Sequence, residues 1–413
     1  KFLFHNNYKM LSKLLTASVG LASADLVADR VYYHHSHPQV KAIDTAYCTK
    51  SIDRLMIQPK SIDTLNTAST TSGTRWVDTS FTGSDIIYYP EFQSASIITD
   101  YETNFADGSY FWDDWQDIYT AADVFDSTRA APTWKEPRQG GAGTCYLMSA
   151  LSGVAEFPDI IKSMFVTQAS NTSGAFRVKF YIRGKPWVFN IDSQFLVKKD
   201  FNNALNLHNA LKYALINTYE TDNTTMWAPL LEKAWAKIKG NYEIANGGFI
   251  GTGLNTLTGA PVFSYKMSTI GSDSGDTMTL DAAYTMIQNA DTKKYIMGAG
   301  TTGGDDTTAN ACGIANGHAY SIIAAFTLTS TTHGTIDFLM FRNPWGNTNY
   351  NYNWGPADTR WTDDNNELKD KMMALTDDDG TDISFDPTAA QSDDTVDGVF
   401  GVFVMDKATW GEQ

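Results

Sequence analysis

A thiol, an imidazole and a carboxamide, in that chain order, are the groups in this 413-residue sequence best placed to do chemistry. The thiol is Cys145. It follows Arg138-Gln139-Gly140-Gly141-Ala142-Gly143-Thr144, a stretch so rich in glycine that the chain must turn tightly or lie close against a neighbour. Beyond it Tyr146, Leu147, Ala150, Leu151, Val154 and Ala155 recur at spacings of three and four, which predicts an apolar helix beginning at the cysteine. A helix N-terminus favours a thiolate through its dipole and unpaired amides, so a lowered thiol pKa is expected. The same amides can hold an oxyanion, and Gln139 offers a side-chain N–H to it.

A thiol nucleophile needs a base that accepts and returns its proton. His318 opens an apolar strand in Gly317-His318-Ala319-Tyr320, and Asn343 follows in Arg342-Asn343-Pro344-Trp345-Gly346. An imidazole base needs a partner at its other nitrogen to fix tautomer and orientation, a role open to the Asn343 side-chain oxygen, with Trp345 covering the contact. Taken singly, each residue has a plainer reading: a small buried hydrophobe for Cys145, a core or surface histidine for His318, a turn residue before proline for Asn343. The combination and its order favour nucleophilic catalysis.

These residues need elements to hold them. Residues 176–191 alternate apolar and polar around Gly184-Lys185 and predict a β-hairpin. Residues 227–239 place Leu230, Leu231, Ala234, Trp235 and Ile238 on one helical stripe ended by Gly240, and Gly247-Gly248 marks a turn. Strands are predicted over 319–327, 335–342 and 398–405, and 299–310 reads as a mobile loop. Asp377-Asp378-Asp379-Gly380 lacks the ligand spacing of an EF-hand and reads as a solvated turn. The expected fold class is α+β, with a helix-rich first subdomain over 84–260 carrying the cysteine and a β-rich second over 261–413 carrying the histidine and asparagine. Residues 25–83 are expected to form an N-terminal extension acting as a pro-segment. Residues 1–24 contain a Lys13, apolar run and Ala22-Ser23-Ala24 pattern that fits a secretory signal peptide.

With these blocks in view, the sequence resembles the calpains, a branch of the papain-like cysteine proteases. QGGAGTCYLMSALSGVAEFPDII resembles the calpain active-site loop and helix, and WAPLLEKAWAKIKGNYEIANGG a helix and Gly-Gly turn late in the first catalytic subdomain. GHAYSI and LMFRNPWGN resemble the histidine and asparagine segments of the second, and DGVFGVFVMDKATW its last strand. The resemblance implies a papain-like fold with the active-site cleft between its subdomains. By it Cys145 is the nucleophile, His318 the base, Asn343 its orienting partner, Gln139 an oxyanion donor and Trp345 the supporting tryptophan. Two neighbours depart from the family: Thr144 stands where calpains usually carry Asp, and Tyr146 where they usually carry Trp. The resemblance also implies calcium in the first subdomain, with Glu136 and Glu243 as carboxylate ligands and carbonyls near Gly141 completing the set. A second calcium site is not expected, since Asn349 replaces a glutamate and only Asp358 supplies a nearby acid. No organic cofactor is implied.

Bulk composition narrows the partners. A net charge of −16 and a pI near 4.7 repel phosphate backbones and argue against nucleic acid. No segment is apolar for long enough to span a membrane as a helix. Protein or peptide substrates and a monomer are expected. Three cysteines, Cys48, Cys145 and Cys312, are too few for a disulfide scaffold, though Cys48 and Cys312 could pair. His34, His35 and His37 read as a solvated loop, and Asn171-Thr172-Ser173 and Asn223-Thr224-Thr225 match the glycosylation triplet. The compartment stays open: the family is typically intracellular, while the N-terminal pattern points to secretion. So do two alternative functions, a catalytically inactive binding or structural relative and a transglutaminase-like acyl transferase, the latter disfavoured by Asn343 where Asp is common.

Overall fold

The computed structural model describes residues 62–88, 93–125, 131–200, 204–205, 207, 210–215, 225–265, 278–378, 380–389 and 400–412. The signal-like segment, the histidines of 34–37, Cys48 and Asn223 lie outside the described residues. Residues 55–413 form one compact unit.

The first half is mostly helical. The helix Cys145–Ala155 starts at the predicted residue and is buried along its whole length. A helix spans Trp227–Lys239 and stops at Gly240, whose φ of 120° is open to glycine. Strands β1 (Tyr110–Asp114), β2 (Ala175–Ile182), β3 (Lys185–Asp192) and β4 (Gln194–Lys198) flank these helices, β2 with β3 and β1 with β4 in antiparallel pairs. The β2–β3 turn is Arg183-Gly184, one residue earlier than the sequence suggests, with both residues at positive φ as a two-residue hairpin turn demands. Residues 75–81 are stitched onto this half: Trp76 N–H donates to Ser173 O, and buried Lys237 pairs with Asp78.

The second half is a four-stranded antiparallel meander of β5 (Met297–Gly300), β6 (Ala319–Ser330), β7 (Gly334–Arg342) and β8 (Val402–Asp406). Helices Leu280–Thr292 and Asp363–Met373 pack on it. The stretch 299–310 thus begins as strand, and the acidic run near 378 is a turn closed by Gly380 N–H on Asp377 O. The fold is mixed α+β, helical first and antiparallel β later, as the composition of the two halves indicates.

What joins the halves also positions the site. The Cys145–Ala155 helix lies against β6, where Ser149 Oγ donates to Ala319 O at 3.0 Å and Ser321 Oγ donates to Ser149 O at 2.9 Å. Both hydroxyls are buried, so each reciprocal bond satisfies groups that would otherwise be orphaned. One hydrophobic core runs through Leu147, Leu151, Trp227, Leu231, Ile323, Phe338 and Val404, drawn from both halves.

Candidate active site

Cys145 sits at the first turn of its helix, 8% exposed. The backbone amides of Ala319, Tyr146 and Cys145 itself lie close enough to its sulfur to favour the thiolate. The Ala319 amide puts the sulfur one residue from His318. The amides at the helix start act in the expected direction, but burial outweighs them, and the Asp306 carboxylate adds to it: the thiol is pushed up to about 11. The lowered pKa expected from the helix terminus is therefore corrected, because desolvation was invisible in the local sequence.

His318 is 2% exposed, and burial lowers its pKa even though Asn343 and Asp306 favour its cation. Its Nε2 lies 2.9 Å from Asn343 Oδ1. That same oxygen accepts the Trp345 N–H at 3.1 Å, which fixes it as an acceptor and assigns the imidazole proton to Nε2. Nδ1 then carries the lone pair and makes no hydrogen bond with a described group. Trp345 leans on the ring at 4.3 Å between centroids, and Tyr320 meets it edge-on at 5.0 Å. Thr301 Oγ1 accepts the His318 N–H at 2.9 Å and fixes its backbone. Burial thus favours the neutral form of both the thiol and the imidazole.

Arg342 ties the asparagine strand to the segment before the cysteine. Its guanidinium donates to Ser152 Oγ at 2.8 Å and to the carbonyls of Lys135 and Pro137 at 2.7 Å each. Gln139 N–H donates to Pro344 O at 2.8 Å, and Gln139 Nε2 donates to Ala142 O at 2.8 Å. An amide nitrogen has two hydrogens, so this bond leaves one for an oxyanion. Gly140 has no room for a side chain: a Cβ there would stand 1.7 Å from Tyr213 O. Tyr146 donates to Ala245 O and accepts from Trp235 Nε1, both at 2.8 Å, and its ring lies where a Cβ on Gly248 would fall. The tyrosine thereby locks the Gly-Gly turn to the helix that begins at Cys145.

Asp306 was not singled out by sequence, lying in a loop with no motif. Its Oδ2 is 3.7 Å from His318 Nδ1, and it raises the pKa of both the imidazole and the thiol. Asp306→Asn is expected to lower both, so the His318 imidazole titrates at more acid pH by NMR and Cys145 is alkylated faster at pH 9; an unmoved imidazole with an unchanged alkylation rate would refute the contact.

The expected calcium ligands were tested for fit. Glu136 is buried and accepts from Trp227 Nε1 and from the Thr133 N–H. Glu243 accepts from Tyr101 Oη at 3.3 Å and Asn246 Nδ2 at 2.9 Å. Burial raises its pKa, against the opposing charge of Lys212. Lys212 Nζ is 3.3 Å from where a Cβ on Gly141 would stand and lies over the Tyr110 ring. Protein donors and the Lys212 ammonium thus lie against these groups. Among the described residues no group of three or more His, Cys, Asp or Glu side chains could hold a metal. Asp358 is engaged by Arg360 and the Trp354 N–H. Cys312 is buried. Asn171, of the first glycosylation triplet, donates through its amide to Ala175 O at 3.0 Å.

Comparison with known proteins points to one family. The family model described as "Calpain family cysteine protease" matches residues 90–388. Among curated relatives, the calpain-type cysteine protease DEK1 of Zea mays is 28% identical over 240 residues, covering 57% of this chain and 10% of that protein. Calpain-A of Drosophila melanogaster is 26% identical over 233 residues, 54% of this chain and 26% of its own length. The human calpain-2 catalytic subunit is 26% identical over 241 residues, 57% of this chain and 31% of its own length. The chain thus spans less than a third of the length of each. With more than half its length matched by the family model, the chain belongs to the calpain family of cysteine proteases.

Proposed function

We propose that the chain is an endopeptidase that cleaves peptide bonds in proteins through a thioacyl intermediate on Cys145. The observation that carries this reading is the imidazole of His318, held at Nε2 by Asn343 with Nδ1 left as the lone-pair nitrogen, one residue from the amide that lies close to the Cys145 sulfur. Nδ1 takes the thiol proton as sulfur attacks the peptide carbonyl. The oxyanion rests on the Cys145 N–H and the second Gln139 Nε2 hydrogen, and the imidazolium then protonates the leaving amine. Water, deprotonated by the same nitrogen, hydrolyses the thioester.

A thiol-directed epoxide mapped by mass spectrometry tests it. The expected result is one adduct, on Cys145 and not Cys312, appearing in step with loss of casein cleavage. An unmodified Cys145 together with absent cleavage would instead support a non-catalytic relative.

Calcium is also proposed to be dispensable, because Lys212 supplies positive charge beside Gly141 and Glu243, and serine and arginine bonds already join the halves. Peptidase rates in excess chelator and in millimolar calcium are expected to agree within about twofold (about 0.4 kcal/mol); a requirement for added calcium would overturn this.

A further inference from the structure

Directly beneath the nucleophile lies a carboxylate that the chemistry above does not use. Glu232, in the middle of the Trp227–Lys239 helix, is 1% exposed. Thr144, the residue before Cys145, is fully buried and donates its hydroxyl to Glu232 Oε1. Ala214 N–H donates to Glu232 Oε2 at 2.7 Å. The segment carrying Ala214 is the one against which the Gln139–Gly141 loop is built: Leu215 N–H donates to Arg138 O at 2.9 Å, and Gly141 N–H donates to Lys212 O at 2.8 Å. One carboxylate therefore joins the helix, the loop's supporting segment and the residue bonded to the nucleophile.

We propose that Thr144 and Glu232 form a positioning pair, in which ionised Glu232 holds the Cys145 backbone and its oxyanion-binding amide in register for peptide hydrolysis. This deepens the protease reading and rests on it. The anion suits both partners as they stand: both contacts are donations to Glu232, and protonation reverses one or weakens the other. A proton on Oε1 would force the Thr144 hydroxyl to turn and accept; a proton on Oε2 would oppose the Ala214 N–H. Threonine at position 144 supplies a donor to the buried carboxylate.

Burial raises the Glu232 pKa to about 7, and only the Thr144 hydroxyl and the Ala214 amide oppose it. The other titratable groups facing it are phenols: Tyr242 and Tyr146 both feel its charge, and both are raised far above neutrality by burial. The neighbouring Lys233 ammonium is committed to Asp192 and the Gln194 carbonyl. Since the folded pKa lies above that of a free glutamate, the anion is lost as pH falls through about 7. Turnover then declines on the acid side while the imidazole, whose pKa is lowered, is still a base.

The test uses the full chain and the variants Thr144→Val, Thr144→Ser and Glu232→Gln, each checked for folding by circular dichroism. Two readouts are recorded across pH 5–9: kcat and KM on a peptide, and the rate of Cys145 alkylation by iodoacetamide. Thr144→Val keeps the shape and deletes the donor. Its kcat is expected to fall about tenfold (one charge-assisted hydrogen bond) with KM unchanged, and the acid limbs of kcat and alkylation to move to higher pH. Thr144→Ser is expected to recover both. Glu232→Gln removes the titration, so its acid limb is expected to move to lower pH. A valine variant with the parent's kcat and an unmoved limb overturns the pair. If the parent cleaves no peptide, the protease reading fails, and the alkylation profiles alone decide whether the pair positions the thiol.

Discussion

Replacing Cys145 by alanine is expected to reduce peptide hydrolysis about 10^4- to 10^6-fold, the scale on which a nucleophile acting as a unit with its base is lost. The fold should survive. The side chain is small, the helix keeps its start, and the sulfur's partners are backbone amides at the helix terminus and at Ala319. Removing a buried thiol costs little packing compared with truncating a leucine. Thermal unfolding within a few degrees of the parent, alongside abolished cleavage of a fluorogenic peptide, is the expected pair of observations. Cleavage at the parent's rate would end the assignment of the nucleophile. The serine variant sharpens it: a hydroxyl is a poorer nucleophile at neutral pH, so Cys145→Ser should be nearly as inactive despite being nearly isosteric.

The second large effect concerns stability. Arg342 is fully buried, and its guanidinium supplies donors to Ser152, Lys135 and Pro137 at once. Burial drives its pKa down to about 9, with Arg138 opposing its charge and Glu136 favouring it. Arg342→Leu would relieve that desolvation yet leave a buried carbonyl and a half-buried one without this donor, at about 1–3 kcal/mol each. A net loss of about 3 kcal/mol is expected by urea unfolding. Arg342→Lys should recover only part of it, because one ammonium cannot reproduce a planar fork reaching two carbonyls and a hydroxyl. Since Asn343 follows directly, kcat should fall in both variants. Unchanged stability in the lysine variant would show that the fork is not what joins these segments.

The motif residues were legible because their spacing is local and their chemistry is specific. The periodicity after Cys145 gave the helix at its true start, and the stripe from Leu230 to Ile238 gave the next, because amphipathic patterns report which face is covered. The short helix Ile250–Thr258, by contrast, carries two glycines and three threonines, a composition that disfavours helix. It forms because Gly253 can press against Ala150 of the nucleophile's helix, a tertiary gain that overrides propensity. The thiol's shift was misjudged for the same reason: helix-end amides are visible in sequence, but the desolvation that exceeds them is assembled from distant segments. Glu232 looked like an ordinary polar position between Leu231 and Lys233, and Asp306 like one more acid in a glycine-rich loop. Only the packed chain shows the first beneath Thr144 and the second facing the imidazole.

The paired serine bonds between the nucleophile's helix and the histidine's strand bear on which targets can be cut. With Ser149 and Ser321 each capping the other element's backbone, the helix that starts at Cys145 and the strand that follows His318 are held together before any target arrives. A folded target cannot pry these two elements apart without exposing buried hydroxyls, so the target must do the yielding and offer a frayed stretch of chain. On the proposed activity, digestion rates across a panel of proteins should then rank with how readily each target locally unfolds.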